Sequence, residues 1–215
     1  MRKVIMAAAA ASAMALVAMP AAAQGWYAEA NLGPNLDAKV KLSGTVDDGS
    51  GPESGSADLK LKKGWLLSGL VGRNLGSGVS IEGEGLVSRN KVRAVDLGDG
   101  TSAFGGYRVT TAGVLANVVY TVPTGMGVAP YIGAGIGWGD SSLDKDAQYD
   151  DVTGTIWQVK AGAKVALSPK ASVNVGVRYV EGVKFKIQGE QDGVSVNLKA
   201  KPQQTAVTVG IHYDF

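Results

Sequence analysis

Several side chains in this chain belong to types that do chemistry, and their spacing separates the chemistries. His212 is the only histidine, and Asp214 stands two residues further on. A histidine beside a carboxylate suits proton transfer, and with a nucleophile in reach it suits acyl transfer. Glycines at 133, 135, 137 and 139 invite comparison with a phosphate-cradling loop. Carboxylates crowd the stretches 47–58, 96–100 and 140–151, as they do in calcium loops. Ionisable residues also interrupt otherwise apolar runs: Glu29, Glu82 and Glu84, then Lys160, Lys164 and Arg178. The chain has no cysteine, which removes disulfide and thiol chemistry.

Spacing weakens most of these readings. A dinucleotide fingerprint needs G-x-G-x-x-G at the start of a helix. Here the glycines recur at every second residue, and no helical period follows them. Glycines on one face of a strand instead make room for neighbours. Asp144 and Asp146 lack the glycine and terminal glutamate that a calcium loop places after them. Those carboxylates read as solvated loop tips, so neither a cofactor nor a metal site is expected.

The elements that position the remaining charges are strands. In Gln204 to Phe215, Thr205, Val207, Val209, Ile211, Tyr213 and Phe215 form one alternating series. Gln204, Ala206, Thr208, Gly210, His212 and Asp214 form the other. A period of two sends the series to opposite faces of a strand. Seven further stretches have strand character: Gly25–Leu36, Gly64–Arg73, Gly78–Ser88, Arg108–Val122, Val128–Trp138, Thr155–Leu167 and Ala171–Phe185. The facing of Gly64–Arg73 is ambiguous, because apolar residues fall on both of its series. Most stretches reach the roughly 9–11 residues with which a tilted strand crosses a membrane.

Connections and aromatic residues point the same way. Asn74–Ser77, Pro123–Gly127 and Ser168–Lys170 are short, whereas Asp37–Lys63, Arg89–Tyr107, Gly139–Gly154 and Lys186–Gln203 are long. Strict alternation of short and long connections fits a barrel with short periplasmic turns and longer extracellular loops. Trp26, Tyr120, Tyr213 and Phe215 fall at the short-turn end, and Trp65, Trp138, Trp157 and Tyr179 at the long-loop end. Two belts of amphipathic rings mark two membrane interfaces. The expected fold is therefore all-β: an eight-stranded antiparallel transmembrane barrel with four longer extracellular loops.

The N-terminus carries a secretion pattern: Arg2 and Lys3, an apolar run from Val4 to Met19, and Ala21-Ala22-Ala23 before Gln24. Residues 1–23 are expected to be a cleaved signal peptide and residues 24–215 the barrel. Of 21 basic and 19 acidic side chains, cleavage removes Arg2 and Lys3, which leaves the two signs equal. An equal balance gives no electrostatic footprint for nucleic acid.

"GWYAEANLG", "APYIGAGIGWG", "VRYVEG" and the terminal "IHYDF" together resemble the OmpA-like, opacity-type family of small eight-stranded outer-membrane barrels. The resemblance implies a Gram-negative outer-membrane location and makes Phe215 the assembly signal read by the barrel-assembly machinery. It also implies contact with outer-membrane lipids and lipopolysaccharide. Nothing follows Phe215 here, so the periplasmic domain of full-length OmpA is not expected. Lipid A deacylase barrels combine a histidine, a serine and a carboxylate, but residue 214 is Asp214 rather than serine, and no catalytic residue is expected.

Strand alternation aims Glu29, Glu82, Glu84, Asp214, Lys160, Lys164 and Arg178 into the lumen. Enclosed charges must pair or pay several kcal/mol each. Such a network either plugs the barrel or lines a narrow ion path. Eight strands leave an interior that side chains just fill, which favours the plug. Arg178 is expected to hold Glu82, with Glu84 or Glu29 as the other possible partners. The expected function is structural or surface-interactive, serving envelope integrity, adhesion or an extracellular ligand. The alternative is a narrow porin-like channel for small solutes, with a lipid-modifying enzyme third.

Overall fold

The computed structural model describes residues 25–47, 51–91, 95–96, 102–103, 108–145, 148–191 and 194–215. In chain order the strands are β1 Trp26–Asp47, β2 Pro52–Lys60, β3 Gly64–Gly76, β4 Val79–Lys91, β5 Val95–Asp96 and β6 Ser102–Ala103. They continue as β7 Arg108–Thr121, β8 Val128–Lys145, β9 Gln148–Ala166, β10 Ala171–Glu181, β11 Phe185–Gln191 and β12 Val194–Asp214. Among the described residues every regular element is a strand. The main sheet runs β11-β12-β10-β9-β8-β7-β4-β3-β1-β2, and β12 also pairs with β1. That extra pairing closes β1, β3, β4, β7, β8, β9, β10 and β12 into an eight-stranded antiparallel barrel. Closure pairs every barrel strand on both sides, so no edge faces lipid.

The closing seam runs from Tyr27 opposite Asp214 up to Asp47 opposite Ser195. At its lower end the Phe215 N–H donates to the Trp26 carbonyl oxygen at 3.1 Å, extending the seam to the last residue. The short connections, 77–78, 122–127 and 167–170, all lie at this end.

The long connections contain more strand than the sequence suggests. β1 has 22 residues and β12 has 21, about twice what a tilted strand needs to cross hydrocarbon. β8 runs on to Lys145 and pairs with β9 from Gln148, so most of 139–154 is hairpin. β2 pairs with the outer half of β1, and β11 with the outer half of β12. The barrel wall thus continues beyond the membrane as β-structure. The backbone explains this, because strand ladders satisfy N–H and C=O groups in water as well as in lipid.

The alternation changes sign along β1. A bulge between Asn35 and Asp37 inserts one residue into its ladder with β12. Below it Asn31 and Asn35 are buried while Leu32 is 57% exposed, and Leu36 at the bulge is 56% exposed; above it Ala38 and Val40 are buried and Lys41 is exposed. One extra residue in a period-two pattern exchanges the faces. The ambiguous stretch on β3 is also resolved: Leu66, Ser68, Leu70 and Gly72 face inward, and Trp65, Leu67 and Arg73 outward.

Candidate functional site in the barrel lumen

The charged residues singled out in the sequence gather in the lumen, in two groups. The lower group lies at the short-turn end. Glu29 on β1, Lys164 on β9 and His212 on β12 meet there, with His212 Nδ1 3.2 Å and Lys164 Nζ 3.8 Å from Glu29 Oε2. His212 Nε2 is 3.4 Å from Asp214 Oδ1. The Tyr27 ring lies 4.5 Å from the His212 ring, and Lys164 Nζ sits 5.0 Å over the Tyr27 ring. Lys164, His212 and Asp214 border a vestibule of about 360 Å³ that also reaches Ser80 and Ser172. Ser172 is the register neighbour of His212. Both imidazole nitrogens have polar partners other than Ser172, since Nδ1 also lies 3.3 Å from Lys164 Nζ.

The upper group is denser. Lys160 Nζ bonds Glu82 Oε2 at 2.5 Å and lies 3.7 Å from Glu84 Oε2. Arg178 Nη1 donates to Glu84 Oε1 at 2.5 Å. Gln158 Nε2 and Asn117 Nδ2 donate to Glu84 Oε2 at 2.5 and 2.9 Å, and Asn117 also reaches Glu82 at 3.3 Å. The Tyr27 hydroxyl donates to Glu82 Oε1 at 2.8 Å and so ties the two groups together. Two carboxylates and two cations are all but inaccessible to solvent. Each charge is compensated inside the group, as a low-dielectric interior requires.

The pairing differs from the expectation in one respect. Arg178 holds Glu84 rather than Glu82, and it does so through Nη1 alone, with Nε left without a partner. Barrel strands tilt, so residues level across the lumen are not level along their strands. Sequence position along a strand therefore does not predict which carboxylate an arginine meets. Asn117, Gln158 and Tyr27 are hydrogen-bond partners of these charges that charge-based reading missed. Their signal was available, since each lies in an inward-facing series.

Two glycines explain how so many long side chains fit. A Cβ on Gly135 would fall on the Asn117 side-chain oxygen, and one on Gly72 would fall on the Tyr27 ring. Gly135 on β8 therefore makes space in the lumen for Asn117.

Immediately above the ion network lies an apolar layer that the sequence analysis did not anticipate. Leu66, Leu86, Leu115, Ile156, Val180, Val183 and Ala206 form one buried cluster. On six strands the next inward residue toward the long-loop end is apolar. Leu86 follows Glu84, Leu115 precedes Asn117, Ile156 precedes Gln158, Val180 follows Arg178, Leu66 precedes Ser68 and Ala206 precedes Thr208. Above this layer a polar one returns: Asn35 Nδ2 donates to Asn90 Oδ1 at 2.8 Å, and Ser88 Oγ donates to Gln204 Oε1 at 2.5 Å. The lumen is thus stacked as vestibule, ion network, apolar layer and amide layer.

The aromatic residues of the two expected belts stand on the outer wall. Trp65, Trp138 and Trp157 are exposed toward the long-loop end, and Tyr120 and Tyr213 toward the other; Trp26, Tyr179 and Phe215 are half-buried. Trp157 Nε1 donates to Glu181 Oε1 at 2.8 Å, and the Phe215 ring meets Tyr213 edge-on at 5.6 Å. The acidic stretches 47–58, 96–100 and 140–151 fall partly outside the described residues. Among the described residues no group of three or more His, Cys, Asp or Glu could hold a metal ion.

Comparison with known proteins places this geometry. A family model described as "Outer membrane protein beta-barrel domain" matches residues 6–215. Among solved structures, Neisserial surface protein A is similar at a TM-score of 0.50 and 20% identity, over 89% of this chain and 98% of that one. OprG from Pseudomonas aeruginosa is similar at 0.52 and 15% identity, over 87% of this chain and 95% of that one. No curated protein matches the chain. At these identities the two structures share its fold.

Proposed function

From its membership of the outer membrane protein β-barrel family, which places the chain in the bacterial outer membrane, we propose that it is a sealed barrel with a structural and surface-display role. The observation that carries this reading is the apolar layer of Leu66, Leu86, Leu115, Ile156 and Val180 lying directly on a compensated ion network. An ion crossing the lumen meets two barriers in series. It must break the Lys160–Glu82 and Arg178–Glu84 pairs, and then cross a constriction that excludes water. The strands that continue above the membrane give the barrel a hydrogen-bonded extracellular wall. That wall supports a role in holding loops for an external ligand or for neighbouring envelope components.

The reading is tested by single-channel recording on refolded protein in planar bilayers. The wild type should show no stepwise conductance. Arg178→Ala alone should stay closed, because the apolar layer remains. Combining it with Leu86→Ser and Ile156→Ser should open the lumen. Stepwise conductance in the wild type would overturn the sealed barrel and favour a narrow channel for small solutes.

A further inference from the structure

A groove of about 850 Å³ lies on the outer wall, crossing β3, β4, β7, β8 and β9. Its course follows the register. One row runs Trp26, Arg73, Ile81, Val118, Ala134 and Val159, each paired with the next. The row above runs Val71, Gly83, Ala116, Ile136 and Trp157. Because strands tilt, such rows climb diagonally from one interface toward the other. Gly83, Ala116 and Ala134 form the floor, with Ile81, Val118 and Ile136 as the banks.

The two ends of the groove differ. The upper end stops at Trp157. The lower end, beside the short turns, stops at Arg73, whose guanidinium sits 5.7 Å from the Trp26 ring centroid. Arg73 is exposed and forms no ion pair among the described residues. A cation at the rim of hydrocarbon snorkels into the headgroup layer, where an anion at its depth can pair with it. The short-turn end is the periplasmic end, so the anion available at that depth is the phosphate of a lipid in the inner leaflet.

We propose that this groove is a specific site for a glycerophospholipid of the periplasmic leaflet, with its phosphate on Arg73 and an acyl chain along the Gly83–Ala116–Ala134 floor. Arginine can hold phosphate through two parallel charge-assisted hydrogen bonds. Trp26 braces the guanidinium in the headgroup region, where indole rings settle. The apolar floor gains its energy from packing, since a chain lodged in a groove touches protein on three sides. A second copy of the barrel is a poorer occupant, because two such faces would bring two Arg73 side chains to the same depth.

The site is tested by native mass spectrometry of protein refolded into vesicles of phosphatidylethanolamine and phosphatidylglycerol, then extracted in mild detergent. Wild type should keep one phospholipid. Gly83→Leu should lose it, and a Cβ at Gly83 meets nothing within 4 Å, so the variant has room to fold. Gly69→Leu, equally unobstructed and outside the groove, should keep it. Arg73→Gln should raise the lipid concentration for half-occupancy about tenfold, the loss of one charge-assisted contact. If Gly83→Leu does not reach the folded state, Ala134→Leu fills the same floor and should lose the lipid as well. Equal retention in the Gly83 and Gly69 variants would mean unspecific boundary lipid. A dimer mass in place of the lipid would mean a second copy. Lipid retention insensitive to Arg73→Gln, or no retention by wild type, would also overturn the site.

Discussion

In the membrane section of β1, Leu32 and Leu36 stand on the outside while Glu29, Asn31 and Asn35 line the inside. In the section beyond, Ala38 and Val40 line the inside while Lys39 and Lys41 look outward. β12 makes the same exchange without a bulge. Val209 and Ile211 are exposed and Thr208 and His212 buried below, whereas Lys199 is exposed and Ala200 buried above. The two sections share strands, hydrogen-bond ladders and period. They differ in what surrounds them. Hydrocarbon outside demands apolar residues outward and lets polar ones gather within. Water outside lets these two strands turn apolar residues inward, as Ala38, Val40 and Ala200 do. One strand reaches the exchange by adding a residue, the other by changing composition at constant phase.

The comparison can be broken most sharply in the lumen of the membrane section. Arg178→Ala leaves Glu84, whose side chain is wholly buried, with Lys160 at 3.7 Å as its nearest cation. The expected loss is about 3–5 kcal/mol, the cost of a buried charge without its partner. Adding Glu84→Gln should recover part of it, because the orphaned charge is gone. Adding Glu82→Gln should not, because Lys160 already compensates Glu82 at 2.5 Å. Urea unfolding in lipid vesicles measures all three. Equal rescue by both second substitutions would sink the pairing.

The lipid-facing wall gives the next largest effect. Val209 lies mid-strand, opposite Leu32 and Val175 on its two neighbours, and is 54% exposed. Val209→Arg should cost about 2–4 kcal/mol, as for a cation at the bilayer midplane. Ser43→Arg, a partly exposed site on the outer half of β1, places the same charge in water and should cost much less. Equal losses in the same unfolding assay would mean that both sections meet the same solvent.

How much of this could be read in advance follows from the range of each interaction. The facing of Gln204 to Phe215 was legible, because a period of two is local and large apolar residues fill one series alone. β3 resisted because Leu66 and Leu70 face inward while Leu67 and Val71 sit on the other series, so both series look apolar. Leu66 is apolar for the sake of the layer inside, a reason that lies on five other strands. The gathering of charges followed from alternation, yet the partner of Arg178 depended on strand tilt, which no single strand records. The outer halves of β1 and β12 read as loops because their lysines, with Gly44 on β1 and Pro202 on β12, resemble a solvated connection. Ala38 and Val40 do alternate with Lys39 and Lys41, but in the phase opposite to that of the membrane section.

Lys39 and Asp58 provide the smallest expected effect and the other half of the comparison. Their ammonium and carboxylate are 2.7 Å apart, about as close as the buried pairs in the lumen. Both side chains, however, remain more than a third exposed, on β1 and β2 above the membrane. Water screens the attraction and already solvates both charges, so little is lost when one partner is removed. The hydrogen bond to Asp58 raises the lysine above its ordinary range. A raised lysine contributes its stability below its unfolded value and loses it as pH rises through the folded one, so the contribution is flat across neutral pH. Lys39→Ala should leave the unfolding midpoint unchanged within error at neutral pH, in low salt and in high salt. A loss comparable to that of Arg178→Ala would mean that the extracellular wall is as dry as the lumen, and the contrast between the two sections would fail.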